Sequence, residues 1–458
     1  MTIKGFPEDD TDEFGKALKK VVSPARPIHS FEYLKGRETE VAILREGLCA
    51  DGRQAFIYGD RGVGKSSLAA TVAYYLQSSS AEPLFVQASK DSTFKNIIAN
   101  IANKAINRSR TDTVKRSTST RLEWRGLNFG TGTEVTPLDI ATQINSVSDA
   151  TELLHQLSQR LAELPVIVLD EFDTIGEPRE RHKFAELLKQ LGDQHTEIKL
   201  IFTGVGASLQ ELLGAHASAY RQLIAIPLAR LGWEGRREIV ERAVESFSLS
   251  IDENVNWRIA IISHGFPYYV HLIAEHMLWD AFKDHKEVGE LTWEHYRRGL
   301  QSAIRTIDAK LRDPYDKAVT LRGPEFEDVV WSTADGEEDY LSINAMYNSY
   351  LVVTEKRGSA TVLDRPTYTD YLRKLRTPAY GKILQSVVGR PGWYVYTEHL
   401  LRGFVRMQAE ANAVELTGGR PSPRPQIHVP NARTGIFGPS VPTGVRLRGR
   451  REDKDDDG

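Results

Sequence analysis

Residues 59–66 read Gly59-Asp60-Arg61-Gly62-Val63-Gly64-Lys65-Ser66, a complete Gly-x-x-x-x-Gly-Lys-Ser loop. The apolar run Ala55-Phe56-Ile57-Tyr58 precedes it, and Ser67-Leu68-Ala69-Ala70-Thr71-Val72-Ala73-Tyr74-Tyr75-Leu76 follows with the composition of a helix. A strand, a glycine loop and a helix in that order make an anion cradle. The glycines let successive backbone N–H groups turn inward, and the helix adds its positive N-terminal end. The candidate cradle comprises Gly59, Arg61, Gly62, Val63, Gly64, Lys65, Ser66 and Ser67. In such a loop the lysine reaches the β- and γ-phosphates and the Ser66 hydroxyl sits on magnesium.

A second stretch supports the first. Leu164-Pro165-Val166-Ile167-Val168-Leu169-Asp170-Glu171-Phe172-Asp173 is an unbroken aliphatic run ending in acids. A central parallel strand, covered on both faces, reads this way. Ligands bind at the carboxyl ends of such strands. Asp170 is therefore expected to orient the magnesium shell, and Glu171 to polarise an attacking water.

Working outward, further strands are expected at Pro83–Ala88, Ile198–Gly204 and Ile224–Leu228, with helices at Thr93–Ile106, Ala150–Leu164 and Arg179–Leu191 between them. Strands and helices that alternate at this length specify a parallel α/β sheet. Residues 107–140 are polar and irregular and read as an insertion. From Trp233 the pattern is helical only, as expected of a small lid over 231–315. Residues 320–416 carry helical runs at Phe326–Thr333, Leu341–Val353 and Arg365–Leu375. Two β-rich runs then flank Gly389-Arg390-Pro391. Three helices and a hairpin suggest a winged helix-turn-helix. The expected division is an extended, proline-containing arm over 1–30, an ATPase domain over 31–230, the lid, the winged unit, and a disordered Gly/Pro/Arg/Ser-rich tail over 417–458.

The bulk numbers exclude several classes. Hydrophobic content of 40% and charged content of 26% are ordinary for a soluble domain. The net charge of −3 gives no polycationic field. Cys49 is the only cysteine, so no intramolecular disulfide forms, and its helical surroundings suggest a small core residue. The sequence lacks a long apolar run and a signal-peptide core, and a cytoplasmic protein without membrane contact is expected.

With these motifs in place the chain resembles the AAA+ and STAND-like P-loop ATPases of the initiator-like, origin-recognition-like group. The resemblance covers about residues 24–415. It rests on Gly36-Arg37-Glu38-Thr39-Glu40 ahead of the phosphate loop, the loop itself, the Asp170-Glu171 pair, Gly265-Phe266-Pro267, and the winged unit. It implies a P-loop NTPase sheet followed by a helical lid and a winged-helix domain, with ATP and Mg2+ as cofactors. It implies further that the element containing Arg37 closes over adenine, that Thr203 senses the γ-phosphate, and that Pro267 packs near the nucleotide. Arg221 occupies the family's place for a trans-acting finger, which implies a homo-oligomer. One departure is clear: the run after Pro267 is Tyr268-Tyr269-Val270-His271, without the lid arginine of initiator-type enzymes.

Between Asp364 and Arg406 stand eight basic residues, Arg365, Arg373, Lys374, Arg376, Lys382, Arg390, Arg402 and Arg406, against three acids. A phosphate-contacting surface for duplex DNA is one reading. An internal clamp on the nucleotide domain, as the resemblance also implies, is the other. Three functions therefore stand at this stage. They are an ATP-hydrolysing molecular switch, an ATP-controlled DNA-binding initiator or loader, and a scaffold that holds ATP without turnover as the regulatory partner of a separate effector protein.

Overall fold

The structure is a computed structural model. It describes residues 3, 5–7, 10–24, 26–77, 82–113, 123–124, 127–128, 136–160, 166–194, 196, 198–215, 221–284, 286–320 and 322–416. The expected tail and most of the 107–140 insertion lie outside these residues.

Aliphatic runs without polar alternation must be covered on both faces, and such runs build the centre. In chain order come α1 (Thr11–Val21), α2 (Glu38–Leu48), β1 (Gln54–Tyr58), α3 (Lys65–Leu76), β2 (Leu84–Gln87) and α4 (Phe94–Thr113). Next are the short β3 (Glu123–Trp124) and β4 (Leu127–Asn128), then α5 (Pro137–Gln143), α6 (Val147–Arg160) and β5 (Val166–Asp170). The sheet is completed by α7 (Pro178–Asp193), β6 (Lys199–Gly204), α8 (Gly206–Ala215) and β7 (Leu223–Pro227). Among the described residues, the five parallel strands lie in the order β2–β5–β6–β1–β7. The registers Leu169↔Phe202 and Tyr58↔Gly204 set the carboxyl ends of β5, β6 and β1 side by side. That is where a doubly wound sheet binds its ligands. One core, with Val168, Ile201 and Ala55, lies on the α3 side; the other, with Phe172, Phe184 and Phe202, lies on the opposite side.

Beyond the sheet come α9 (Trp233–Glu245), β8 (Ser250–Ile251), α10 (Glu253–Ile262), α11 (Pro267–Phe282), β9 (Glu290–Leu291), α12 (Trp293–Thr306) and α13 (Ala309–Val319). This stretch was expected to be purely helical, yet β8 and β9 pair in parallel. Two-residue strands are too short to show a period-two pattern.

The chain then forms α14 (Pro324–Thr333), β10 (Leu341–Ser342), α15 (Ile343–Arg357), α16 (Arg365–Lys374), β11 (Leu384–Ser386), β12 (Trp393–Tyr396) and α17 (His399–Ala411). The sheet order β10–β12–β11 is antiparallel, so a helix, a short strand, two helices and a hairpin follow one another as in a winged helix. The last helix is the surprise. Its Leu400, Leu401, Phe404, Val405 and Met407 are buried, and they share one core cluster with Val63 of the phosphate loop and with Val270 and Ile273 of α11. The described residues up to 416 belong to one compact unit.

Three further expectations fail. Residues 11–21 are not an extended arm but a capped helix, with the Asp10 carboxylate accepting from the Glu13 N–H at 2.9 Å. Prolines at 7, 24 and 27 bracket this helix without entering it, which is why their local bias misled. Cys49 caps α2 and is exposed. Arg402 and Arg406 are each 2% exposed and face inward. They were counted in a basic surface because charge, read along a sequence, carries no information on which helical face is covered.

Phe14 anchors α1. It stacks on Phe282 at 4.3 Å between centroids and meets Trp279 edge-on at 5.0 Å. Phe14→Ala should cost about 3–5 kcal/mol, read as a lowered urea midpoint. A loss under about 0.5 kcal/mol, the scale of a surface change, would mean that α1 does not belong to the core.

Candidate active site

The phosphate loop joins β1 to α3, and its backbone requires its glycines. Gly62 has φ 81° and Gly64 φ 96°, both in the left-handed region. Gly59 is needed for space: a Cβ there would come within 2.3 Å of the Leu228 carbonyl oxygen. The Lys65 ammonium donates to the Gly59 and Asp60 carbonyls at 3.0 and 2.8 Å and so closes the loop on itself. Burial pulls the Lys65 ammonium below its ordinary range, opposed by Asp173, Asp170, Asp60 and Glu171. Val63 is buried, and its carbonyl accepts from Arg37 at 3.0 Å.

One carboxylate oxygen gathers the rest. Asp170, at the end of β5, accepts through Oδ1 from the Ser66 hydroxyl at 3.0 Å and from the Glu171 N–H at 3.0 Å. The buried Thr203 hydroxyl, on β6, bonds to the same oxygen. Thr203 Oγ1 also accepts from the Glu171 N–H at 3.1 Å. Three elements distant in sequence thus converge on the expected Ser66–Asp170 pair, and Thr203 joins them.

Glu171 follows with φ 55°, left-handed and outside glycine's privilege. Such a residue costs about 1–2 kcal/mol. The turn directs its carboxylate out of the strand, where Oε2 accepts from Gln87 Nε2 at 2.9 Å. Gln87, the last residue of β2, was missed by sequence reading. Only the β2–β5 register Gln87↔Asp170 reveals it.

The remaining expected residues fall into two groups. Arg37 is buried and spans Val63 O, Ala229 O at 2.6 Å and Glu40 at 3.3 Å, so it braces the loop from behind. Pro267 is the first residue of α11, and its Cγ lies 3.7 Å from where a Cβ on Gly64 would stand. The Ser67 hydroxyl accepts from the Ile28 N–H at 3.2 Å and ties the chain before α2 to α3. Arg61 faces Asp308 at 3.9 Å with both groups about half exposed, a weak pair. Arg221 stands exposed just before the edge strand β7, apart from the Asp170 cluster.

The C-terminal unit reaches this loop. Asp60 lies 2.8 Å from Nδ1 of His399, the first residue of α17, and 3.6 Å from Arg230, which follows β7. Arg230 also pairs with Asp339 at 2.6 Å. A Cβ on Gly62 would come within 2.8 Å of Leu400 Cδ1. Neither His399 nor Arg230 carries a local sequence signal.

Residues 33–202 match the model of the AAA ATPase domain. This segment is an AAA ATPase domain. Its P-loop NTPase sheet is also found in a solved structure. A Walker-type ATPase of Pyrococcus abyssi is 17% identical with a TM-score of 0.50, over 83% of this chain and 99% of that one. The ORC2 protein of Aeropyrum pernix is 14% identical, TM-score 0.46, over 86% and 98%. Cdc6p of Pyrobaculum aerophilum is 16% identical, TM-score 0.43, over 87% and 98%. No curated protein matches. In this AAA ATPase domain no described helix is long and apolar enough to cross a membrane, nor is one found in the described remainder. Among the described residues no group of three or more His, Cys, Asp or Glu side chains is placed to hold a metal.

Proposed function

We propose that the chain is a magnesium-dependent ATPase in which the nucleotide state works a conformational switch. The observation that carries this reading is the convergence of Ser66, Thr203 and the Glu171 N–H on Asp170 Oδ1 beside the glycine loop. A hydroxyl and a carboxylate 3.0 Å apart suit magnesium, which takes one or two protein oxygens and fills its shell with water and phosphate. Bound magnesium supplies charge neutralisation on the phosphates.

The chain's own groups do the rest. Lys65 exchanges the Gly59 and Asp60 carbonyls for phosphate oxygens. The amides of the loop hold the phosphate chain, with Arg61 at its rim. Ser66 and Asp170 hold the metal, and Thr203 keeps Asp170 oriented. Glu171 accepts a proton from the attacking water, and Gln87 positions its carboxylate through one hydrogen bond. Arg37 keeps the loop in shape near the adenine end, and Pro267 carries the lid onto Gly64. We take the ATPase domain as 31–230, the lid as 231–315 and the winged unit as 320–416.

The contacts Asp60–His399 and Gly62–Leu400 favour the winged unit as a clamp. A second reading has its own observation. Six basic side chains, Arg365, Arg373, Lys374, Arg376, Lys382 and Arg390, are exposed on this unit. They offer phosphate contacts to duplex DNA.

Lys65→Ala should abolish ATP binding in calorimetry. Glu171→Gln should bind ATP yet turn over at least about a hundredfold more slowly, the scale of a general base; parent-like turnover in it would sink the base assignment. Absence of turnover in the parent chain would leave a non-hydrolysing scaffold.

If Arg221 acts in trans in a homo-oligomer, turnover per subunit should rise with protein concentration, and Arg221→Ala should remove the rise. A flat profile would reduce Arg221 to a surface residue.

Reversing Arg373, Lys374 and Arg376 to Glu separates clamp from initiator in a mobility-shift titration at two salt concentrations. DNA binding predicts a salt-sensitive shift that the variant loses, because phosphate contacts release counterions. The clamp predicts no shift at either salt concentration.

A further inference from the structure

Where α17 begins, His399 meets charged groups from several elements. Asp60 faces it from the phosphate loop at 2.8 Å, and Arg230 from the β7–α9 connection at 3.0 Å. Asp339, from the α14–β10 connection, lies 2.6 Å from the same Arg230 nitrogen and adds its field. His264, before α11, receives Arg230 NH1 at 2.6 Å and Arg402 NH1 at 3.3 Å. Glu398 and Arg402 flank on α17's own side. Leu400, the next residue, packs on Gly62, and its carbonyl accepts from the Tyr269 hydroxyl at 2.6 Å. The start of α17 therefore touches both the phosphate loop and α11.

The Nδ1 atom of His399 has two neighbours and can serve only one. The charged ring donates from Nδ1 to Asp60; once neutral, the ring loses its charge pairing with Asp60, and in the tautomer that carries the proton on Nε2 its Nδ1 lone pair accepts from Arg230 and no longer serves Asp60. Asp60 then keeps, of its polar contacts to this cluster, the longer pair with Arg230 at 3.6 Å, and Arg230 is shared with Asp339 at 2.6 Å, so the loop is held more weakly.

We propose that Asp60, His399, Arg230 and Asp339 form a proton-dependent latch that holds the phosphate loop against α17 and lets go as the solution becomes more alkaline. The latch gives a physical form to the clamp of the preceding reading and rests on it, but needs no nucleotide. The hydrogen bond to Asp60 raises the His399 imidazolium above its ordinary pKa, burial and Arg230 opposing. A group whose pKa is raised in the latched state favours that state fully below its free value, near 6.5. The preference fades as pH climbs through the higher latched value. Asp60 is held below the usual carboxylate range by the same hydrogen bond, so it stays charged throughout. His264, buried and beside Arg406, is held well below its ordinary value and does not titrate in this window.

The test is hydrogen exchange on the full chain without nucleotide, at pH 6 and pH 8, corrected for intrinsic exchange rates. Peptides over 59–64 and 397–403 should be protected at least about threefold more at pH 6, the sign of a local opening equilibrium. His399→Gln should exchange fast at both pH values. Should that variant unfold, Asp60→Asn reads the contact from the other side and should also lose the pH difference. A parent chain with equal protection at both pH values, or a variant that keeps the difference, would overturn the latch. Loss of ATP binding in a separate titration would count against the ATPase reading and leave this result standing.

Discussion

Asp170 Oδ1 is the atom on which the site depends. A carboxylate held in a partly buried position at a strand end needs donors, and it receives them from α3, from β6 and from the next backbone amide. Hydrogen bonds to a charged group are worth about 1.5–3 kcal/mol each, so this one oxygen is a strong tie between three elements. The parallel sheet makes it possible. Placing β5 beside β6 and β6 beside β1 puts an acid, a hydroxyl and the phosphate loop within one another's reach. Antiparallel pairing would have carried one of them to the far edge.

Glu171 inherits its position from the same arrangement. Its left-handed backbone is paired with two hydrogen bonds at its own N–H, to Asp170 and Thr203. Strain of this kind persists where surrounding contacts over-determine it, and it is concentrated at functional sites. The result is a carboxylate presented toward β2 and met there by Gln87.

The C-terminal unit is joined to the site by burial as well as charge. Arg402 donates to the carbonyls of Ala334, Asp335, Gly336 and Glu338, and Arg406 to those of Ala334, Gly336 and Ile261. Burial pushes the Arg402 guanidinium down to about 9. Two interior cations are tolerable only with most of their N–H groups satisfied. They hold the 334–339 segment in place, and that segment delivers Asp339 to Arg230. Two residues that composition suggests for nucleic acid, Arg402 and Arg406, thus organise the interior of this unit, leaving α16 and the segment from Arg376 through the β11–β12 hairpin to offer the exposed charge.

The phosphate loop, the aliphatic strand ending in Asp170-Glu171 and the alternation of strand and helix were legible in the sequence, because each is a local pattern enforced by local physics. Glycines are required where φ is positive, a buried parallel strand must be aliphatic on both faces, and an amphipathic period marks a packed helix. The three helices and hairpin of 320–416 were legible for the same reason. Gln87, Arg230 and His399 were not, since each matters only through a neighbour 34 to 339 residues away in chain number. The helix at 11–21 and the inward turn of Arg402 and Arg406 escaped as well. Which face of a helix is covered, and which strand lies beside which, is decided when the chain closes into one core. Pairing register and burial are properties of that closure and leave no mark on the residues taken one stretch at a time.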